Sequence, residues 1–123
     1  MILSRNNNDI YKYIDNDFKF ENNDLFYKNK IIKYYTIHKS KGLEAENVIV
    51  LNCNNNYLGL PNKIENNRII DKLNYTNEMD YAEERRLFYV AITRCKNRCF
   101  LLFNKNKPSI FIKEIKKIIK MKI

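Results

Sequence analysis

Glycine and proline are nearly missing from this 123-residue chain, with two of each, which excludes collagenous, proline-rich and flexible-linker architectures. Asparagine takes over as the punctuation. No stretch approaches the ~18 apolar residues that a membrane span needs, and the opening MILSRNNND has no long apolar region. The expectation is a soluble, intracellular protein with no membrane partner. The three cysteines, Cys53, Cys95 and Cys99, are odd in number and contain no CxxC, so neither a disulfide framework nor a four-ligand zinc site is expected. His38 is the single histidine, and with Cys95 and Cys99 it leaves a structural metal site one ligand short. No metal is expected. Acidic side chains are also in the minority: 14 against 23 Lys and Arg, a net charge of +9. Such a balance favours polyanionic partners, although part of the lysine travels with the abundant Asn, Ile and Tyr and reflects composition.

What is present is enough for one ordinary domain over residues 1–123, with 45% hydrophobic and 13% aromatic residues. Residues 2–4 read as a short strand, after which the polar run from Arg5 to Asp9 can cap a helix over 10–14. Residues 15–30 read as a polar connection with one weak apolar patch at Leu25, Phe26 and Tyr27. The β-branched and aromatic run 31–37, the apolar run 48–51 and the run 98–103 predict strands, and their lack of alternation predicts burial on both faces. Residues 52–80 read as an Asn-rich excursion with local structure around Ile69 and Ile70. From 81 to 94 the pattern is helical, with Leu87, Val90, Ala91 and Arg94 on one stripe opposite Glu84 and Arg85. Pro108 is expected to open a helix through 120. Strands alternating with helices imply an α/β fold with a mainly parallel sheet flanked by helices.

Two segments concentrate the chemistry. Residues 36–44, TIHKSKGLE, place a basic loop and a carboxylate after a strand end, where open parallel sheets bind ligands. They also fit a solvated loop. Residues 83–94, EERRLFYVAITR, fit a surface helix with Glu83 spaced to pair Arg86. Arg94 sits awkwardly on that helix, because an arginine continuing an apolar stripe needs an anion or costs several kcal/mol.

TIHKSKGLE followed by an apolar strand resembles motif V of superfamily 1 DNA helicases of the UvrD/Rep type, and EERRLFYVAITR resembles their motif VI. The two occur in the family's order with a strand after each. The opening ILSRNNND is similar to the strand and helix that precede motif V, and Glu44-Ala45 with the ending LLFNKNKPSIFIKEI is most similar to the helicase IV branch. The resemblance implies a RecA-like half-lobe, the C-terminal portion of the second motor lobe. It makes Arg94 an arginine finger reaching the γ-phosphate of ATP, a contribution of about 10³ to 10⁵ in rate. It turns Gly42 and Glu44 toward the nucleotide, with Glu44 accepting from the ribose. It sets Thr36, His38 and Lys41 on the single-stranded DNA side, where phosphates want donors and cations. Tyr89 is expected beneath the loop.

The chain departs from the family in lacking GxxxxGK[ST], the phosphate-cradling loop. The family's acidic Mg²⁺ motif, its γ-phosphate-sensing glutamine and its motif IV arginine also have no counterparts. ATP and Mg²⁺ would therefore be held by a separate first lobe, and hydrolysis by this chain alone is not expected. A fragment, a split subunit and a remnant all remain open. The alternative function is a non-catalytic basic DNA-binding or partner-binding protein. The tail carries Phe111, Ile115, Ile118 and Lys122 on one stripe flanked by Ile112 and Ile119, which fits docking on the sheet and also fits a membrane- or DNA-binding helix.

Overall fold

The computed structural model describes residues 1–63 and 81–122, with side chains of the last helix through Lys117. The expected local structure at Ile69 and Ile70, and the tail positions Ile118, Ile119 and Lys122, lie outside the described residues or side chains. Six strands make one sheet: β1 (Ile2–Ser4), β2 (Phe18–Glu21), β3 (Asp24–Tyr27), β4 (Lys30–Thr36), β5 (Ala45–Val50) and β6 (Cys95–Leu101), in the order β2-β3-β4-β1-β5-β6. Strands β4, β1, β5 and β6 run parallel, while β2, β3 and β4 form an antiparallel meander at one side. Two α-helices, α1 (Ala82–Ile92) and α2 (Ile110–Lys122), complete the α/β fold.

The polar connection expected over 15–30 is instead the β2–β3 hairpin. Phe18 and Phe20 alternate with exposed Lys19 and Glu21, and Leu25 is buried, a period-two pattern too short to stand out among polar neighbours. Asn22 turns the chain at φ 55, a left-handed geometry that asparagine tolerates. The expected helix over 10–14 is a 3-10 helix, Asn7–Lys12, whose amide at Asn6 donates to Asp9 at 3.1 Å.

Side chains alternate across the sheet into two cores. Leu3, Val48 and Val50 face Ile37, Phe88, Ala91, Phe111 and Ile112, whereas Ile2 and Leu51 face Ile10, Leu25 and Tyr34. Burial on both faces is therefore real for the central strands and fails outward: Ile31 is 61% exposed and Phe100 47%. Ile31 lies where β4 runs beyond its pairing with β1, which begins at Tyr34. Strand β6 begins at Cys95, earlier than the apolar run suggested, because Ala45 pairs with Cys95 before an irregularity at 45–47.

The buried stripe of α1 is Glu84, Phe88 and Ala91, offset from the expected one. Glu84, assigned to the solvent face by its charge, is enclosed with Arg5. Glu83 does pair Arg86 on the surface. Helix α2 starts at Ile110, with the Phe111 amide donating to the Ser109 hydroxyl at 3.0 Å, so Ser109 is the cap and Pro108 stands outside. Phe111 stacks on Phe88 at 5.1 Å and Ile112 is buried, which docks the start of the tail on the sheet.

Candidate functional site

Because β4, β1, β5 and β6 share one direction, their C-terminal ends line one edge of the sheet and their N-terminal ends the other. The segment after Thr36 must cross from the first edge to the second to enter β5 at Ala45. It does so through a 3-10 turn, Ile37–Ser40, with Ile37 and Ser40 fully buried. The Ser40 hydroxyl donates to the Ile37 carbonyl at 2.6 Å, and the Leu43 amide donates to the Ser40 carbonyl at 3.0 Å. Ile37 enters the core beside Phe88 and Ala91 of α1. Gly42 then turns at φ +80, where an added Cβ would meet nothing within 4 Å. Backbone conformation, not crowding, selects glycine there.

The six predicted site residues divide between the edges. At the C-terminal edge, Thr36 is buried and lines a polar groove of about 220 Å³ together with Lys39. His38, Lys41 and Gly42 are exposed along the crossing segment. At the N-terminal edge, the Ala45 amide donates to the Arg94 carbonyl at 3.0 Å, so Glu44 and Arg94 stand on neighbouring strand entries. A second groove of about 420 Å³ opens beside Glu44, lined by Met1, Ile32, Tyr35 and Leu43 among others, and Arg94 is not part of its lining. The 36–44 segment is thus not gathered at one crevice: Thr36 and Lys39 line the C-terminal groove, and the chain then leaves that edge. Strand direction carries Glu44 to the opposite edge.

Glu44 is exposed, with its carboxylate 3.9 Å from the Lys96 ammonium. Arg94 donates through Nε to the Val90 carbonyl at 3.1 Å, and its Nη2 lies 3.5 Å from the Thr93 hydroxyl. The Thr93 hydroxyl itself donates to the Tyr89 and Val90 carbonyls at 2.9 and 3.0 Å. The unpaired carbonyls at a helix C-terminus carry partial negative charge, which gives Arg94 a resting place without a carboxylate. No ion pair to Arg94 occurs among the described residues. Its half-exposed position removes the need for a buried anion that the stripe implied. Tyr89, expected beneath the loop, is 66% exposed.

Two features had no counterpart in the sequence reading. The Arg5–Glu84 pair ties the exit of β1 to α1, and Lys39 with Asn7, Asn8 and Tyr11 forms the C-terminal groove. Nearby, burial pushes the Asp9 carboxyl up, opposed by hydrogen bonds from the Asn6 amide and the Asn52 side chain. Among the described residues no three His, Cys, Asp or Glu side chains cluster as metal ligands, and no helix is long and apolar enough to cross a membrane.

Residues 3–106 match the family described as the UvrD-like helicase C-terminal domain. The chain is 38% identical over 88 residues to DNA helicase IV of Escherichia coli, covering 71% of this chain and 13% of that protein. It is 40% identical over 88 residues to a probable DNA helicase II homolog of Mycoplasma pneumoniae, covering 71% and 11%. Against the ATP-dependent DNA helicase Rep of Buchnera aphidicola it is 31% identical over 104 residues, covering 76% and 14%. The chain thus spans about a seventh or less of the length of these relatives. A match over most of its residues, on a mainly parallel α/β sheet that carries both signature segments, means that the chain belongs to the UvrD-like helicase C-terminal domain family.

Proposed function

We propose that the chain is the ATP- and DNA-contacting C-terminal portion of the second RecA-like lobe of an ATP-dependent DNA helicase. One observation carries this reading: a single short segment, 37–44, joins the edge holding Thr36 to the edge holding Glu44, and packs on the helix that ends beside Arg94. A nucleotide site and a strand-binding site at opposite edges need such a link if one is to act on the other. ATP with Mg²⁺, held by a first lobe that carries a phosphate loop, supplies the hydrolysable phosphoanhydride. Arg94 leaves the Val90 carbonyl and turns its guanidinium to the γ-phosphate, stabilising charge that develops as the phosphate transfers. Glu44 accepts from a ribose hydroxyl, the one part of a nucleotide that a carboxylate can face without repulsion. Thr36, His38 and Lys41 grip the phosphates of single-stranded DNA. Closure of the lobes displaces the 37–44 segment and changes that grip.

The net charge of +9 also suits a non-catalytic basic DNA-binding protein. Combining the chain with a first lobe that carries a phosphate loop, and following DNA-stimulated ATP hydrolysis, separates the two readings. Turnover that needs this chain and is lost in Arg94→Ala supports the motor reading. Turnover indifferent to Arg94→Ala, with the variant folded, sinks the finger role and leaves the basic-protein reading.

A further inference from the structure

The polar groove at the C-terminal edge is built by three elements that meet only in the folded chain. Asn7, Asn8 and Tyr11 come from the first 3-10 helix, Asn22 and Asn23 from the β2–β3 turn, and Lys39 from the turn after β4. All six are exposed. Among the described residues the side-chain amides of these four asparagines make no hydrogen bond with the protein, so their N–H donors and carbonyl acceptors face the groove or solvent.

Behind the amides stands a row of three rings. Tyr11 meets Phe20 edge to face, with centroids 6.0 Å apart at 85°, and Phe20 meets Tyr34 at 5.3 Å and 75°. Tyr34 is buried, and its hydroxyl donates to the carbonyls of Asn6 and Asn7 at 3.0 and 3.1 Å as alternatives while touching the Ser4 hydroxyl. The inner end of the row is therefore fixed. Its outer end, Tyr11, is 57% exposed. A ring supported from behind and open to water in front is a stacking platform prepared at little entropic cost. Carboxamides offer donors and acceptors together, as the edges of nucleic-acid bases require. The volume of about 220 Å³ is below the ~300 Å³ where pockets for drug-sized ligands begin, which suits one planar group.

The geometry points to a pocket for a single unpaired base of single-stranded DNA, stacked on Tyr11 and read at its edge by the asparagine amides, with Lys39 holding the adjoining phosphate. The inference rests on the DNA-contacting reading of Thr36 and its neighbours. One lysine at the groove favours a strand, whose phosphates are spread out, over a free triphosphate.

Fluorescence anisotropy with a labelled oligothymidylate, and with an abasic strand of the same length, tests the pocket in the whole chain. Tyr11→Ala should weaken binding to the thymidylate strand roughly 5- to 100-fold, the range for one lost base–aromatic stack. Tyr11→Phe should restore it, and on the abasic strand all three proteins should bind alike. Circular dichroism confirms that the variants fold. Equal binding of wild type and Tyr11→Ala to the thymidylate strand overturns the pocket, as does a Tyr11→Ala loss that persists on the abasic strand. If His38→Ala and Lys41→Ala weaken binding in that case, the DNA-contacting reading stands without the pocket. No binding of either strand by wild type overturns both.

Discussion

Arg5 encloses the carboxylate of Glu84: its Nε lies 3.0 Å from both oxygens and its Nη2 2.9 Å from one, with both side chains less than a tenth exposed. The pair joins the end of β1 to the first turn of α1, so the helix leading to Arg94 is anchored at its start by charge and along its length by Phe88 and Ala91. Removing Glu84 takes its carboxylate from a buried guanidinium, and breaking a buried pair costs about 3–5 kcal/mol. Glu84→Ala should lower the stability measured by urea unfolding by that much. The double variant Arg5→Met with Glu84→Leu should recover most of it, since apolar replacements of buried pairs are often neutral. A single-variant loss below about 1 kcal/mol, the value of an exposed pair, would show that the pair does not anchor the helix.

Arg94 contrasts with Arg5, because a carbonyl rather than a carboxylate holds it. One such hydrogen bond contributes only about 1 kcal/mol. Arg94→Ala should therefore unfold at nearly the wild-type urea concentration. With a first lobe present, ATP turnover should fall by about 10³ or more, while affinity for single-stranded DNA in the absence of nucleotide stays within twofold. A large stability loss would instead make Arg94 part of the scaffold.

The apolar runs 31–37 and 48–51 and the helical period of 81–94 made the parallel core legible, because long β-branched stretches and an apolar stripe are local signals. The hairpin was not, since Phe18 and Phe20 are two rings in a polar segment and gain meaning only against Tyr11, Tyr27 and Tyr34. Glu84 misled because a carboxylate reads as surface, and its partner lies 79 residues away. Thr36 and Glu44 were legible as belonging to one signature, but not as occupants of opposite edges. That division follows from the shared direction of β4 and β5, which the 36–44 segment does not itself reveal.

The separation of the edges makes a prediction about salt. Each phosphate contact on a single strand contributes about −0.7 to the slope of log affinity against log salt. Lys41→Ala should reduce the slope by that amount if it grips the strand, and His38→Ala should reduce it by no more than that. Lys113→Ala, on the exposed side of α2, should leave it within error. A greater effect of Lys113→Ala would move the DNA path to the tail helix.

The cysteines carry the last prediction. Burial pushes the Cys53 thiol up to about 12 and the Cys99 thiol up to about 11, with the neighbouring thiols adding to the rise in each case. Only the thiolate attacks alkylating reagents, so at pH 8 about one Cys53 in 10⁴ is reactive by ionisation even before access is counted. The native chain should label at Cys53 and Cys99 orders of magnitude more slowly than in urea, where all three cysteines react. Both groups favour the protonated form in the folded state, so their contribution to stability is complete below the unfolded value near 9 and declines as pH rises toward 11 and 12. Urea midpoints should accordingly fall from pH 8 to pH 10.5, and a Cys53→Ala, Cys99→Ala chain should show a shallower fall. Rapid labelling of Cys53 in the native chain at pH 8 would mean that the core beneath β5 opens far more readily than its complete burial implies.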